Sequence, residues 1–255
     1  MKFVGLIIAI LLPVMSFAEE TDPDPWRGFN RTVFEFNEVL DRNVAKPLAQ
    51  GYQAITPKPV DDSITNFFSN LEDVLVIVND VLQLKFGQAA SDTARVLVNS
   101  TIGFFGFFDV ASKIGLEKHN EDFGQTLGYW GVGSGPYLVL PVLGPSTLRD
   151  ALGTGTDTVS GLSYTSVADN TAQTAGVFLL RNIDLRADLI ASEGLITGEK
   201  YTFLRSFYLQ RREYLINDGV VEDEFDDDED WDDEEDDWGD DWDEEASENS
   251  ASDAI

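Results

Sequence analysis

Residues 122–150 read DFGQTLGYWGVGSGPYLVLPVLGPSTLRD. Six of these residues are glycine and three are proline, yet apolar and aromatic side chains fill more than half of the remaining positions. Glycine can adopt a positive φ and lets another backbone approach closely, whereas proline interrupts a helix. The stretch therefore predicts an irregular, apolar hairpin, either buried in a protein core or placed at the rim of a lipid-facing cavity.

The first eighteen residues have the pattern of a secretory signal peptide. Lys2 gives a positively charged start, residues 3–14 are apolar, and residues 16–18 (SFA) end the run with small side chains at the first and third positions. We therefore expect residues 1–18 to be removed and the mature protein to be exported. The chain contains no cysteine, so we expect neither a disulfide nor a lipid attached to cysteine.

Most of the negative charge lies at the end of the chain. The net charge is −30, and residues 220–255 contain 21 acidic residues but no lysine or arginine. Such a run repels itself and buries too little apolar surface to offset chain entropy, so we expect a disordered tail after a domain at residues 19–219. Trp231, Trp238 and Trp242 are spaced along this tail, which either docks on a partner or only keeps the protein soluble.

The body of the chain has mainly helical periodicity. Apolar side chains recur on one helical face at Phe29, Val33, Phe36 and Leu40, and residues 71–82 have a second, wider apolar face. Residues 46–47 (Lys-Pro) predict a helix boundary. The uncharged, largely apolar run at residues 96–108 has thirteen residues, fewer than the about 18 to 20 that a membrane-spanning helix needs.

Four phenylalanines surround a glycine in the segment 102–108, which reads IGFFGFF. Phe104, Phe105, Phe107 and Phe108 form an aromatic wedge that can fill a protein core or insert among acyl chains at a membrane interface. Composition alone favours the core. The wide apolar helix faces that precede the wedge favour the membrane, because one small core does not need so much apolar surface.

The residue types needed for common enzyme chemistry are scarce. His119 is the only histidine, the serine elbow G-x-S-x-G does not occur, and a zinc site has no cysteine to draw on. We therefore expect no catalytic residues, no metal and no cofactor. No basic stripe suited to phosphate backbones is present, so we expect no nucleic-acid partner.

Several separated blocks of sequence resemble the VacJ/MlaA family of outer-membrane proteins, which maintain lipid asymmetry. The first two blocks are DPWRGFNR at residues 24–31 and NFFSNL at residues 66–71. The glycine pattern of residues 124–137 and the block GPSTLRD at residues 144–150 continue the resemblance. A repeat of tyrosine and arginine at residues 201–214 completes it.

The resemblance implies a mainly α fold, a ring of amphipathic helices with one glycine-rich hairpin, in the periplasmic leaflet of the outer membrane. Misplaced phospholipid would leave the outer leaflet through a polar channel and pass to a soluble periplasmic lipid carrier, beside a trimeric porin. The alternative is a structural tether of outer membrane or porin without lipid transfer. Family members carry a lipid on cysteine, and because this chain has none we expect it not to be lipidated.

The resemblance also assigns positions to these roles. The hairpin beside the channel would contain Gly131, Gly133, Gly135, Pro136 and Tyr137. The phenylalanine wedge would then contact acyl chains.

Overall fold

Helices dominate the computed structural model, which describes residues 24–220. The longer elements are α1 (Arg27–Leu40), α2 (Lys46–Ile55), α3 (Lys58–Leu82), α4 (Phe86–Thr101), α7 (Leu148–Val159), α8 (Thr171–Ile190) and α9 (Lys200–Ile216). The shorter ones are α5 (Val110–Lys113), α6 (Phe123–Tyr129), strands β1 (Tyr137–Leu140) and β2 (Gly144–Thr147), and 3₁₀ helices at Tyr164–Val167 and Glu193–Leu195. The prediction of a mainly α fold with one hairpin is confirmed.

Contacts between the elements close into a ring. Helix α2 packs on α8, α8 on α3, α3 on α6, α6 on α7, and α7 on the hairpin, which returns to α1 at the start of the chain. Helix α4 packs along α3, and α9 packs against α6 and β2. The ring of helices that the resemblance implied is therefore present in the described residues.

Helices α1 and α2 are one continuous helix interrupted by a π-turn at Asp41–Ala45. The backbone N–H of Lys46 donates to the carbonyl of Asp41, five residues earlier. Pro47 follows directly, and a proline inside an α-helix has no N–H to donate and clashes with the carbonyl four residues before it. The wider π-turn accommodates this proline, so the helix boundary predicted at residues 46–47 is wrong.

Two asparagines of α1 satisfy the free edge of the hairpin. Asn30 Nδ2 donates to the carbonyl of Tyr137 at 3.0 Å, and its Oδ1 accepts from the N–H of Val139 at 2.9 Å. Asn37, two turns further along α1, makes the same pair of bonds to Leu140 and Val142 at 2.9 and 2.8 Å. The side chains take the place of a third strand on an edge that would otherwise be unpaired.

Side-chain caps set the start of the helices around the hairpin. Asp122 accepts from the N–H of Gln125 at 2.8 Å at the start of α6, and Thr147 accepts from the N–H of Asp150 at 3.2 Å at the start of α7. Each bond satisfies one of the backbone donors that a helix leaves free in its first turn. Helices α6 and α7 then cross closely, and a Cβ on Gly153 would lie 2.4 Å from the backbone nitrogen of Gly124.

We expect Gly153→Ala to destabilise the fold, because the added methyl group would collide with backbone that cannot move independently. The expected cost is roughly 1–3 kcal/mol, or a melting temperature lower by several degrees. Gly155→Ala is the matched control on α7, where an added Cβ meets nothing within 4 Å. Thermal unfolding followed by circular dichroism in detergent checks both variants, and equal melting temperatures would contradict the close crossing.

Candidate functional site

Polar side chains dominate the interior of the ring. Among residues 24–220, polar and charged residues with buried side chains outnumber buried apolar ones, and many large apolar side chains are exposed. Exposed examples on three different helices are Phe29, Leu97 and Leu179. No helix within these residues is long and apolar enough to cross a membrane. The arrangement is the reverse of a water-soluble domain and fits a ring surrounded by apolar material.

Arg212 of α9 links two carboxylates on different elements. Its guanidinium donates to Asp122 at 2.5 and 2.9 Å and to Asp150 at 3.0 and 2.9 Å. Burial raises the pKa of Asp150, but Arg212 and the hydroxyl of Tyr208 at 2.8 Å lower it more, so the pKa lies below its usual range. At Asp122 burial likewise raises the pKa, and the hydrogen bonds and charge of Arg212 lower it more, so this pKa also lies below its usual range. Both carboxylates therefore stay ionised and hold α6, α7 and α9 together.

A second buried cluster surrounds Asp80 on α3. Neither carboxyl oxygen of Asp80 receives a hydrogen bond from a donor among the described residues. Burial, and next the carboxylate of Asp92, raises the pKa of Asp80 to about 7, with Glu121 adding to the effect and His119 opposing it. His119 Nδ1 lies 2.8 Å from Asp92 Oδ2, so the sole histidine is a structural partner of a carboxylate. Asp80 therefore keeps its proton up to near neutral pH.

Two adjoining cavities flank the π-turn. The apolar groove has a volume of about 330 Å³ and lies between α1, the π-turn, the hairpin and α8. Its apolar lining includes Phe34, Leu40, Val44, Leu48, Val139, Val142, Phe178, Leu179, Ile183 and Leu204. The polar cavity has a volume of about 340 Å³ and is lined by charged side chains of α1, the π-turn, α2 and α9. Glu38 and Asp41 line both cavities, which therefore adjoin each other.

Four ion pairs link the walls of these cavities. Lys46 contacts Glu193 at 2.6 Å, and Lys200 contacts Glu38 at 2.7 Å. Arg186 binds Asp41 at 2.6 Å and also contacts Glu193. An apolar groove that opens beside a charged cavity can hold a molecule with an apolar tail and a charged head.

The phenylalanine wedge is exposed, and composition was wrong to favour the core. The exposed fractions of Phe104, Phe105, Phe107 and Phe108 are 62%, 68%, 36% and 55%. Phe104 and Phe105 have positive φ angles of 52° and 59°, a conformation that costs a non-glycine residue of order 1–3 kcal/mol. The strained turn directs these rings outward, where they are available for contact with acyl chains.

The predicted glycine hairpin lies earlier in the sequence than the observed turn. Gly131 and Gly135 have positive φ angles of 83° and 66°, but they belong to the loop before β1, and Gly133 does not adopt a positive φ. The turn itself is at residues 141–143, ahead of Gly144.

Tyr137 and Pro136 lie at the start of the hairpin. Tyr137 is buried against Tyr201 and lines neither the groove nor the polar cavity, and burial raises its pKa to about 12. Pro136 is half-buried and accepts from the N–H of Leu148 at 3.0 Å. The hairpin does border the groove, through Val139, Val142 and Gly144, which sequence reasoning missed.

Several expectations fall on residues outside the described range of 24–220. The signal peptide at residues 1–18 and the tail at residues 220–255, except Val220, lie there. Trp231, Trp238 and Trp242 lie there as well, so their docking role stays a prediction.

Comparison with known proteins identifies one family. The family model described as MlaA lipoprotein matches residues 22–215. The Escherichia coli protein named intermembrane phospholipid transport system lipoprotein MlaA is 35% identical over 207 residues, 79% of this chain and 81% of the relative. An uncharacterised protein of Rickettsia prowazekii is 46% identical over 127 residues, 50% of this chain and 51% of the relative. The chain thus spans about half the length of the rickettsial relative that it matches.

A solved structure from a study on the structural basis for maintenance of bacterial outer membrane lipid asymmetry has the same fold. Its TM-score is 0.68 at 36% sequence identity, and the match covers 76% of this chain and 99% of that chain. The family model, at residues 22–215, extends over the ring and the two cavities.

These comparisons correct one expectation. The absence of cysteine led us to expect a protein that is not lipidated, but the family model and the Escherichia coli relative are both described as lipoproteins. The expectation is therefore wrong.

We expect Asp80→Asn to make stability less dependent on pH. Unfolded aspartate ionises near pH 4, whereas folded Asp80 keeps its proton up to about pH 7, so the wild type loses stability as pH rises between these values. Asparagine cannot ionise, and the variant should gain stability relative to wild type across that window. Urea unfolding midpoints at pH 5 and pH 8 measure the gain, with Asp62→Asn as the control at an exposed carboxylate of α3. The same midpoint difference at both pH values would contradict the raised pKa of Asp80.

Proposed function

Because the chain belongs to the MlaA lipoprotein family, we propose that it is an outer-membrane component of a phospholipid transport system. It removes phospholipid that is misplaced in the outer leaflet and so maintains lipid asymmetry. The adjoining groove and polar cavity support this role best, because a phospholipid joins an apolar tail to a charged head.

The outward distribution of apolar side chains supports a place among acyl chains. Each exposed phenylalanine or leucine that leaves water for the hydrocarbon region contributes up to about 2 kcal/mol, and the ring presents many of them. Exposed side chains such as Phe105 on the strained turn and Leu97 on α4 would insert into the periplasmic leaflet. Shallow insertion needs no spanning helix.

A route for the lipid follows from the same geometry. The groove is lined by α1, the π-turn, the hairpin and α8, elements that belong to different arcs of the ring. An acyl chain held there would be shielded from water while its headgroup stays in the polar cavity. We propose that lipid crosses the ring at this point, with the turn at residues 141–143 on one wall.

The partners in this proposal are a trimeric porin beside the ring and a soluble periplasmic carrier that receives the lipid. Both follow from the family resemblance. The tail at residues 220–255 would help to attract a basic surface of the carrier, since its 21 acidic residues act over a long range, and Trp231, Trp238 and Trp242 would supply close contacts. The role is transport without catalysis.

We expect Leu179→Asp to block transport. Leu179 lines the groove on α8, and a carboxylate there would have to lose its hydration beside an acyl chain, which costs several kcal/mol. Outer-leaflet phospholipid in a deletion strain that carries the variant should then stay at the level of the deletion. Leu185→Asp is the matched control, since Leu185 is an exposed leucine on α8 that does not line the groove.

The two variants separate transport from tethering. If the protein only tethers the membrane or a porin, both variants should lower outer-leaflet phospholipid to the wild-type level. If both variants leave outer-leaflet phospholipid equally high, at the level of the deletion strain and with normal protein amounts, the groove has no special role.

A further inference from the structure

The π-turn at Asp41–Ala45 forms part of the wall of both cavities. Arg42 lines the polar cavity, Val44 and Ala45 line the apolar groove, and Asp41 lines both. An ordinary α-helix repeats each face every three to four residues, and the extra residue of a π-turn changes which side chains share a face. The five residues of the π-turn contribute side chains to both linings.

Every carboxylate that lines the polar cavity is paired with a cation, whereas one lining cation is not paired with any described residue. Glu38, Asp41 and Glu193 are each bound to a cation, and these cations are Lys46, Arg186 and Lys200. Arg42 is the fourth cation, and it is exposed at the cavity with no hydrogen bond or ion pair to any residue between 24 and 220. The cavity can therefore accept one further negative charge.

We propose that the polar cavity binds the phosphodiester of a glycerophospholipid, with Arg42 as its main contact and one acyl chain in the adjoining groove. This rests on the proposed transport function. A phosphodiester carries a single negative charge, which matches the one unpaired cation. The planar guanidinium of arginine can donate two parallel hydrogen bonds to two phosphate oxygens.

The paired charges keep the cavity ready for such a ligand. The hydrogen bonds from Lys46 and Arg186 lower the pKa of Glu193, so this carboxylate stays ionised and keeps both cations in place. Lys46 and Lys200 lie in the same lining as Arg42, and each is neutralised by its carboxylate partner. Since the carboxylates already have partners, an added anion would meet Arg42 first.

The position of the groove beside the polar cavity distinguishes a phospholipid from a free phosphate ester. A water-soluble phosphate ester would fill only the polar cavity and leave the groove empty. A diacylglycerol would fill only the groove. A glycerophospholipid fills both, and its binding should be weakened by changes in either lining.

The experiment compares three probes on the purified full-length protein in detergent. The probes are phosphatidylglycerol, diacylglycerol with the same acyl chains, and glycerol 3-phosphate, and equilibrium binding is measured for each. The variant is Arg42→Glu, which reverses the unpaired charge. The matched control is Arg211→Glu, at an exposed arginine of α9 that also has no partner among the described residues and lines neither cavity.

We expect Arg42→Glu to weaken phosphatidylglycerol binding about tenfold, as loss of one charge-assisted hydrogen-bonded contact predicts. Diacylglycerol binding should not change, glycerol 3-phosphate should bind at least about a hundredfold more weakly than the lipid, and Arg211→Glu should behave as wild type. Rising salt should reduce the difference between wild type and Arg42→Glu, because the contact is at an exposed site.

Three results would overturn the proposal. Equal phosphatidylglycerol binding by wild type and Arg42→Glu would show that Arg42 does not contact the phosphate. It would not contradict the proposed transport function. Glycerol 3-phosphate binding as tight as that of the lipid would make the cavity a site for soluble phosphate esters. Failure of the wild type to bind any of the lipids would instead contradict the proposed function itself.

Discussion

A charged side chain taken out of water costs several kcal/mol unless an opposite charge or several hydrogen bonds compensate for it. The ring buries many such groups, including Asp73, Arg95 and Asp150, and has only a small apolar cluster around Tyr137, Val139 and Tyr201. The fold therefore depends on pairing across elements. Arg212 between Asp122 and Asp150, and Arg181 between Glu72 and Asp184, connect segments that are distant in sequence.

The same requirement explains the hairpin. A two-stranded hairpin is marginal on its own, and β1 has a free edge. Asn30 and Asn37 of α1 supply both donors and acceptors to that edge, and the buried carboxylate of Asp24 accepts from Asn30 Nδ2 at 2.7 Å and from the Tyr201 hydroxyl at 2.5 Å. Through these bonds α1 and α9 fix the position of the hairpin wall, and with it the shape of the groove.

Sequence periodicity was enough for the helices, because an apolar face repeats locally. Periodicity did not show whether an apolar face points into the protein core or toward a membrane, because phenylalanines such as Phe104 and Phe105 suit both environments. The lysine-proline pair at residues 46–47 predicted a break, because a π-turn has no sequence signal of its own. The hairpin was expected at the glycines of 131–135, but the strands are formed by the residues after them.

The cavities could not be predicted from the sequence, because their lining residues lie far apart in the chain. Arg42 and Lys46 are separated from Arg186 and Lys200 by more than a hundred residues, and only the closure of the ring brings them together. Nothing in the local sequence marks Arg42 as the cation without a partner. The resemblance to a family predicted a lipid ligand. The arrangement of α1, the hairpin and α8 in the fold forms the groove that we propose holds this ligand.

The central claim is that the exposed apolar faces contact acyl chains. The chain has no cysteine, so single spin labels can be placed at will, for example at Leu97→Cys and Phe105→Cys, with Asp62→Cys and Gln210→Cys as polar controls. In protein reconstituted into phospholipid bilayers, power saturation compares collisions with oxygen, which is enriched among acyl chains, and with a water-soluble nickel chelate. We predict oxygen-dominated relaxation at Leu97 and Phe105 and nickel-dominated relaxation at the controls. Nickel-dominated relaxation at all four positions would contradict the account.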